Sequence, residues 1–315
     1  MPDPSPEISI VVPVYNEEAT LEVLYAEIVA AMEGYGHRFE IVAVDDGSRD
    51  GSFEVLKRLQ GRDPRLRVIR LARNFGQNPA MYAGFAHVQG RTVVTIDADL
   101  QNPPAEIPKL LEKLAEGHDI VQGWREGRQD SFFRRTVSRL INGLVSFLLQ
   151  VKVHDLGCGM KAYRREVIER LSMASHRSRY LPAEAAWLGA DLAEVKVAHR
   201  PRSGGDSKYG ILSLVSVNFD MLASISSLPV RVIGMIGLLF SLAGFAMGAR
   251  VAYVRLAYGD FQQLTSVIAI FFVLAGVQMG CTGIMCGYIS RIYTEVQARP
   301  YYIVGEVLGD GDKRA

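Results

Sequence analysis

Ile8-Ser9-Ile10-Val11-Val12-Pro13-Val14 is a short β-branched run that breaks into Tyr15-Asn16-Glu17-Glu18, and its reading decides the fold. Branched side chains in a brief apolar run favour a buried strand. The residues after it, Glu17–Met32, space their apolar positions at helical intervals. The same alternation continues downstream. Phe39–Val44, Arg67–Leu71 and Thr92–Ile96 read as strands, and Ser52–Gln60, Pro79–Val88 and Glu106–Glu116 read as helices. Strand–helix alternation predicts an α/β domain with a mostly parallel sheet covered by helices. Ligands of such sheets gather beyond the carboxyl ends of the strands. The unusual residues fall at those ends: Pro13–Glu18, Asp45–Ser48 and Asp97–Gln101.

Composition narrows the function. The 315-residue chain carries 35 Lys+Arg against 34 Asp+Glu, a net charge of +1. That balance argues against a nucleic-acid partner held by a basic surface. A content of 49% hydrophobic and 22% charged residues excludes a disordered chain. The distribution is uneven, because Val232 to Ile289 carries only Arg250, Arg255 and Asp260 as charges. Val232–Ala249 and Leu264–Ile289 have the length and apolarity of membrane spans, which take about 20 residues. Arg255–Gln263 leaves room for only a tight connection between them. Ile211–Leu228 repeats Leu212, Val215, Phe219 and Leu222 at helical spacing but includes Asn218 and Asp220, so it reads as an amphipathic helix in the membrane interface.

The expected organisation is a cytoplasmic domain over 1–210, an interfacial helix over 211–229, a two-helix transmembrane hairpin over 230–290 and a cytoplasmic tail over 291–315. No basic start with an apolar run precedes Ile8, which places the first part in the cytoplasm. Cys158, Cys281 and Cys286 form neither a disulfide framework nor a zinc pattern.

Several motifs could carry chemistry. Asp97-Ala98-Asp99 follows the fourth strand, and two carboxylates with little else suit Mg²⁺ or Mn²⁺ that is shared with diphosphate oxygens. Asp also ends strands and opens turns for purely structural reasons. Asp45-Asp46-Gly47-Ser48 offers carboxylates to a base or ribose, or simply caps the next helix. Tyr15 could stack on a base with Glu17 near the ribose. Neither G-x-G-x-x-G nor G-x-x-x-x-G-K-[ST] occurs, which disfavours dinucleotide cofactors and P-loop chemistry. Basic residues cluster at Arg125, Arg128, Arg134, Arg135 and Arg139, and again at Arg200, Arg202 and Lys208 around Ser203-Gly204-Gly205. A flexible cationic loop of that kind suits phosphate. Asp155, in Asp155-Leu156-Gly157-Cys158-Gly159, is a carboxylate in a small-residue turn; by residue type alone it reads as a turn residue, although glycine there permits close approach of a ligand.

Taken together, Val11–Glu17, Asp45–Ser48 and Asp97–Gln101 in this order and spacing resemble the family 2 glycosyltransferases of GT-A fold. The likeness continues through Arg70–Phe85, Arg128–Asn142, Asp155–Arg165, Ser207–Tyr209, the two apolar stretches and Arg291–Pro300. Within that family the chain is similar to the polyprenyl-phosphate glycosyltransferases. Gly204 stands where some dolichyl-phosphate mannose synthases have a second arginine, which weakens a mannose-specific, dolichol-specific reading.

The resemblance implies metal-dependent, inverting transfer of a sugar from a nucleotide diphosphate, UDP in preference, to undecaprenyl phosphate at the inner membrane. It assigns Pro13, Tyr15, Glu17, Asp45, Asp46 and Asp97 to the nucleotide sugar. Asp97, Asp99 and Gln101 are implied for Mg²⁺ or Mn²⁺, and Arg125, Arg134, Arg202, Ser207 and Lys208 for the acceptor phosphate. Asp155 is implied at the reacting centre, and the assembly is implied to be a homo-oligomer, a tetramer.

Overall fold

The computed structural model describes residues 5–125, 154–155, 158–173, 189–200 and 300–309, with separate positions between 253 and 296. The chain forms two compact units, 1–218 with 300–315 and 219–299.

The first unit is built on an eight-stranded sheet: β1 (Ile8–Val14), β2 (Phe39–Asp45), β3 (Leu66–Leu71), β4 (Thr92–Thr95), β5 (Ile120–Arg125), β6 (Lys161–Arg164), β7 (Leu192–Val197) and β8 (Val304–Leu308). Their order is β7-β5-β6-β4-β1-β2-β3-β8. β1 pairs in parallel with both β2 and β4, β2 with β3, and β5 with β7. β6 runs antiparallel between β4 and β5, and β8 antiparallel along β3. The helices are α1 (Leu21–Tyr35), α2 (Ser52–Gln60), α3 (Gln77–Phe85), α4 (Ile107–Ala115) and α5 (Arg165–Met173).

The central strands are apolar on both faces because both faces are covered, as parallel sheets require. Every residue of β2 is buried. Side-chain alternation sends Val12, Ile41 and Ala43 to one core with Leu24, Ile28, Leu56 and Leu110. Val11, Val42 and Val44 face the other core with Ala80, Phe85, Tyr163 and Ile168. In α1, Leu21, Leu24, Ile28 and Met32 make the buried stripe. Each fully buried side chain of this size contributes about 1.5–3 kcal/mol. Gly36 ends that helix in the left-handed conformation (φ 79°), its N–H returning to the Met32 carbonyl.

The four strands and four helices expected up to residue 116 are all present, with shifted ends. α1 begins at Leu21 rather than Glu17, because the N–H groups of Asn16 and Glu17 are held by the hydroxyls of Ser48 (3.0 Å) and Ser52 (2.9 Å). β4 ends at Thr95, so Asp97-Ala98-Asp99 is a turn rather than an extension of the strand. β8 lies in the region read from sequence as a tail. It closes the β3 edge, with Tyr301 edge-on to Tyr82 of α3 at 5.4 Å between ring centres.

The expected interfacial helix over 211–229 and the first apolar stretch lie outside the described residues. The described positions between 253 and 296 are helical, and among the described residues no helix is long and apolar enough to cross a membrane.

Candidate active site

After β3 the chain crosses back to place β4 on the other side of β1, so strand order reverses between β1 and β4. Ligands of open α/β sheets occupy the crevice at such a reversal. Tyr15–Glu17 leave β1 on one side of it and Asp97–Asp99 leave β4 on the other. The two loops touch: the Thr20 hydroxyl donates to the Ala98 carbonyl at 2.8 Å. β5 ends and β6 begins at the same edge, bringing Arg125 and the Asp155–Lys161 segment beside them.

The β2 loop is tied tightly. Asp45 is fully buried, with Oδ1 accepting the Ser48 N–H at 3.1 Å and Oδ2 lying 3.4 Å from Arg70 Nε. Asp46 accepts the N–H groups of Phe75 (2.7 Å) and Gly76 (2.8 Å), one on each oxygen. Burial pushes its carboxyl above the ordinary range, against those two hydrogen bonds. Asp46 therefore organises the 73–76 loop, a role the sequence does not announce. Gly47 adopts φ 65°, and a Cβ there would lie 2.6 Å from the Arg73 carbonyl carbon. Asp46→Asn should cost about 1–3 kcal/mol in denaturant unfolding, because the amide group cannot accept a backbone N–H. A loss below about 0.5 kcal/mol would show that the loop is held by other contacts.

Asp97 is the electrostatic centre. Burial raises its carboxyl above the ordinary range and the Asp99 charge raises it further, while Lys161, Arg125 and a hydrogen bond from Gln77 (2.6 Å) oppose the shift. Asp99 Oδ1 accepts the Gln101 N–H at 3.1 Å, and Leu100 between them takes a left-handed φ of 61°. The Gln101 carbonyl in turn receives the Arg200 N–H at 2.8 Å. Gly159 packs so closely on Asp97 that a Cβ there would overlap the carboxylate.

These residues fit a divalent cation. Asp97 and Asp99, near enough for the Asp99 charge to act on Asp97, are a hard-oxygen pair, which would suit Mg²⁺ or Mn²⁺ with water and diphosphate as further ligands. Among the described residues no group of three or more His, Cys, Asp or Glu could hold a metal without such outside ligands.

Asp155 is buried and gripped in a fork by Arg125, with Nε–Oδ2 at 2.6 Å and a second amino group on Oδ1 at 2.8 Å. Burial works against the Arg125 charge, but the Asp155 hydrogen bonds outweigh it and hold the guanidinium above its ordinary value. Gln122 donates to the Asp155 carbonyl. His154 stacks on Trp124 with 4.5 Å between ring centres, and Lys196 Nζ lies over the Trp124 ring at 5.2 Å from its centre.

The edge thus gathers Pro13, Tyr15, Glu17, Asp45, Asp46, Asp97, Asp99, Gln101, Arg125 and Asp155. Tyr15 is 37% exposed, with its ring accessible to a ligand. Arg134, Arg202, Ser207 and Lys208 lie outside the described residues. Sequence reasoning passed over Gln77, Trp124 and Lys161. Gln77 and Trp124 carry no motif, and Lys161 opens a four-residue strand that the sequence does not announce.

The glycosyl transferase family 2 model matches residues 9–172. Undecaprenyl-phosphate 4-deoxy-4-formamido-L-arabinose transferases of Edwardsiella ictaluri and Shewanella sediminis are 39% and 41% identical, over 96% and 98% of this chain and 94% and 95% of their own. That of Pseudomonas aeruginosa is 40% identical over 98% of this chain and 92% of its own. The crystal structure of glucosyl-3-phosphoglycerate synthase from Mycobacterium tuberculosis, in complex with Mn²⁺, UDP and phosphoglyceric acid, shares the fold. It gives a TM-score of 0.52 at 23% identity over 70% of this chain and 77% of that one.

Proposed function

The chain belongs to glycosyl transferase family 2, and from that premise we propose that it transfers a sugar from a UDP-sugar to undecaprenyl phosphate at the cytoplasmic face of the membrane. The observation that carries the reading is the meeting of the Asp97–Asp99 pair with the Arg125–Asp155 fork at one sheet edge. The near-complete coverage of the undecaprenyl-phosphate transferases supports the acceptor.

Tyr15 and Glu17 border the nucleoside side of the crevice, with Asp45 beneath them. Asp97 and Asp99, with Gln101 beside them, would hold Mg²⁺ or Mn²⁺. Such an ion supplies charge neutralisation of the diphosphate in the ground and transition states. An acceptor phosphate oxygen attacks the anomeric carbon from the face opposite the diphosphate. The new bond from C1 to that oxygen forms as the old bond to the β-phosphate oxygen breaks, and the nucleoside diphosphate leaves with the electron pair. The configuration at C1 inverts. A phosphate monoester has its second pKa at about 6, so the nucleophile is ionised near neutral pH and needs little base assistance. The larger task is to bring two anions together. Arg125, placed by Asp155, serves that task, and Arg134, Arg202, Ser207 and Lys208 are assigned to it as well. Asp155 is spent on Arg125, which favours a positioning role over that of a free base.

The acceptor's isoprenoid tail requires a bilayer. Two charge-poor stretches of spanning length support membrane insertion, as do the exposed side chains of Val267, Phe271, Leu274, Met285 and Ile289.

The test is a screen of UDP- and GDP-sugars with undecaprenyl phosphate in detergent, following the released nucleotide. Nucleoside diphosphate with a polyprenyl-phosphate-linked sugar is expected. Nucleoside monophosphate with a diphosphate-linked lipid would replace this reading with phosphoglycosyl transfer.

A further inference from the structure

We infer that the ammonium group of Lys161 holds a phosphate oxygen at the reacting centre, a role that rests on the glycosyl-transfer reading above. Lys161 opens β6, where it pairs with Thr95 of β4 on one side and Gln122 of β5 on the other. Thr95 stands two residues before Asp97, and Gln122 donates to the Asp155 carbonyl, so Lys161 lies between the carboxylate turn and the Arg125–Asp155 fork. Its electrostatic neighbours are Asp97, Asp155, Cys158 and Arg125.

Lys161 is only 8% exposed, yet among the described residues it makes no side-chain hydrogen bond and no ion pair within 4.0 Å. Opposite it, the Gln122 Oε1 atom is buried without a partner. Buried ammonium groups are retained when paired, because desolvating one alone is costly.

Charge counting points to what is missing. Arg125 already neutralises Asp155 through two short hydrogen bonds. A divalent cation on Asp97 and Asp99 would neutralise those two. Lys161, largely buried, is then a surplus positive charge at the crevice, and an anion is the partner that satisfies it. Lysine acts on phosphate as a compact point charge. The phosphate oxygen has two sources, the donor's diphosphate and the acceptor's monoester. The competing role is purely structural, with Lys161 serving as a counter-charge for Asp97 and Asp155.

The experiment compares the full chain in detergent with Lys161→Met and Lys161→Arg by calorimetry. Mn²⁺ is titrated alone first, then inorganic pyrophosphate and inorganic phosphate into the Mn²⁺-loaded protein, then UDP; the KM for undecaprenyl phosphate follows. For Lys161→Met we expect an unlowered melting temperature and Mn²⁺ affinity that is equal or tighter, since a like charge near the ion is gone. Affinity for a phosphate probe should fall about 10- to 150-fold, with partial recovery in Lys161→Arg. Loss on pyrophosphate and UDP assigns the donor diphosphate. Loss on inorganic phosphate and in the acceptor KM, with UDP unaffected, assigns the acceptor.

A folded Lys161→Met whose phosphate affinities and acceptor KM stay within twofold overturns the proposal. So does a fall in melting temperature and Mn²⁺ affinity without loss of phosphate binding, the structural signature. If Lys161→Met does not fold, Lys161→Arg decides, and unchanged phosphate affinity in it counts against the role. Wild-type protein that binds both inorganic probes but transfers no sugar overturns the functional reading alone. Wild-type protein that binds neither overturns this inference.

Discussion

Asp99→Asn is expected to abolish turnover while leaving the chain folded. The side chain keeps its shape, and its remaining oxygen still accepts the Gln101 N–H that closes the turn, so the local structure has no reason to collapse. What disappears is one of two charges facing the proposed cation. Losing even one neutral donor to a developing charge costs about 10²–10³-fold in rate, and a charged metal ligand should exceed that, on the order of 10³-fold or more. Mn²⁺ titration without donor should show the same weakening, while the unfolding midpoint moves little. Retention of a tenth of the metal-dependent rate would falsify the assignment of Asp99 to the ion.

The first hundred residues were legible because their physics is local. β1, β2 and α2 read off β-branched runs and helical apolar spacing, and their bounds agree with the structure to within one residue. Asp97–Asp99 was visible as a pair, but the turn that carries it was not: β4 ends at Thr95, and the chain beyond Asp99 bends through Leu100 at positive φ. β6 and β7 were not legible. Lys161–Arg164 is only four residues and mixes lysine and arginine with alanine and tyrosine, and Leu192–Val197 alternates charge with apolar residues. Their pairing comes from the neighbours that tertiary structure supplies.

The site divides in the same way. Asp46 and Arg125 were singled out as ligand contacts from residue type and position. Their partners, the Phe75 and Gly76 N–H groups and the Asp155 carboxylate, lie about thirty residues away in sequence and could not be read. Both side chains thus act first on the protein, holding a loop and a carboxylate that border the crevice. A far longer separation in sequence hides β8. Nothing in Val304–Leu308 reveals that the chain returns to β3 after its charge-poor stretch, because an edge strand is defined by the neighbour it finds.

Gly159→Ala is the second change with a large expected effect, and it follows from space rather than charge. The glycine lies against the Asp97 carboxylate where a Cβ would overlap both oxygens, and its carbonyl accepts the Thr95 hydroxyl at 3.0 Å. The backbone is therefore pinned on one side and the carboxylate must yield on the other. Thr95 belongs to β4, in the middle of the sheet, so displacing the 158–160 segment would strain two strands at once. Rotating Asp97 is the easier escape, and it breaks the Gln77 hydrogen bond and moves a proposed metal ligand by an ångström or more. A misplacement of about 1 Å costs about 10²-fold even when its cause is remote. Here it falls on the ligand itself, so a loss on the order of 10²- to 10³-fold is expected in both kcat/KM and Mn²⁺ affinity. Gly159→Ala should also behave differently from Asp99→Asn on adding metal. Excess Mn²⁺ can draw a displaced but intact carboxylate back, so part of the activity should return, whereas a missing charge cannot be restored by concentration. Equal failure of both variants at saturating Mn²⁺ would mean that Gly159 shapes the sugar or acceptor pocket and not the cation site.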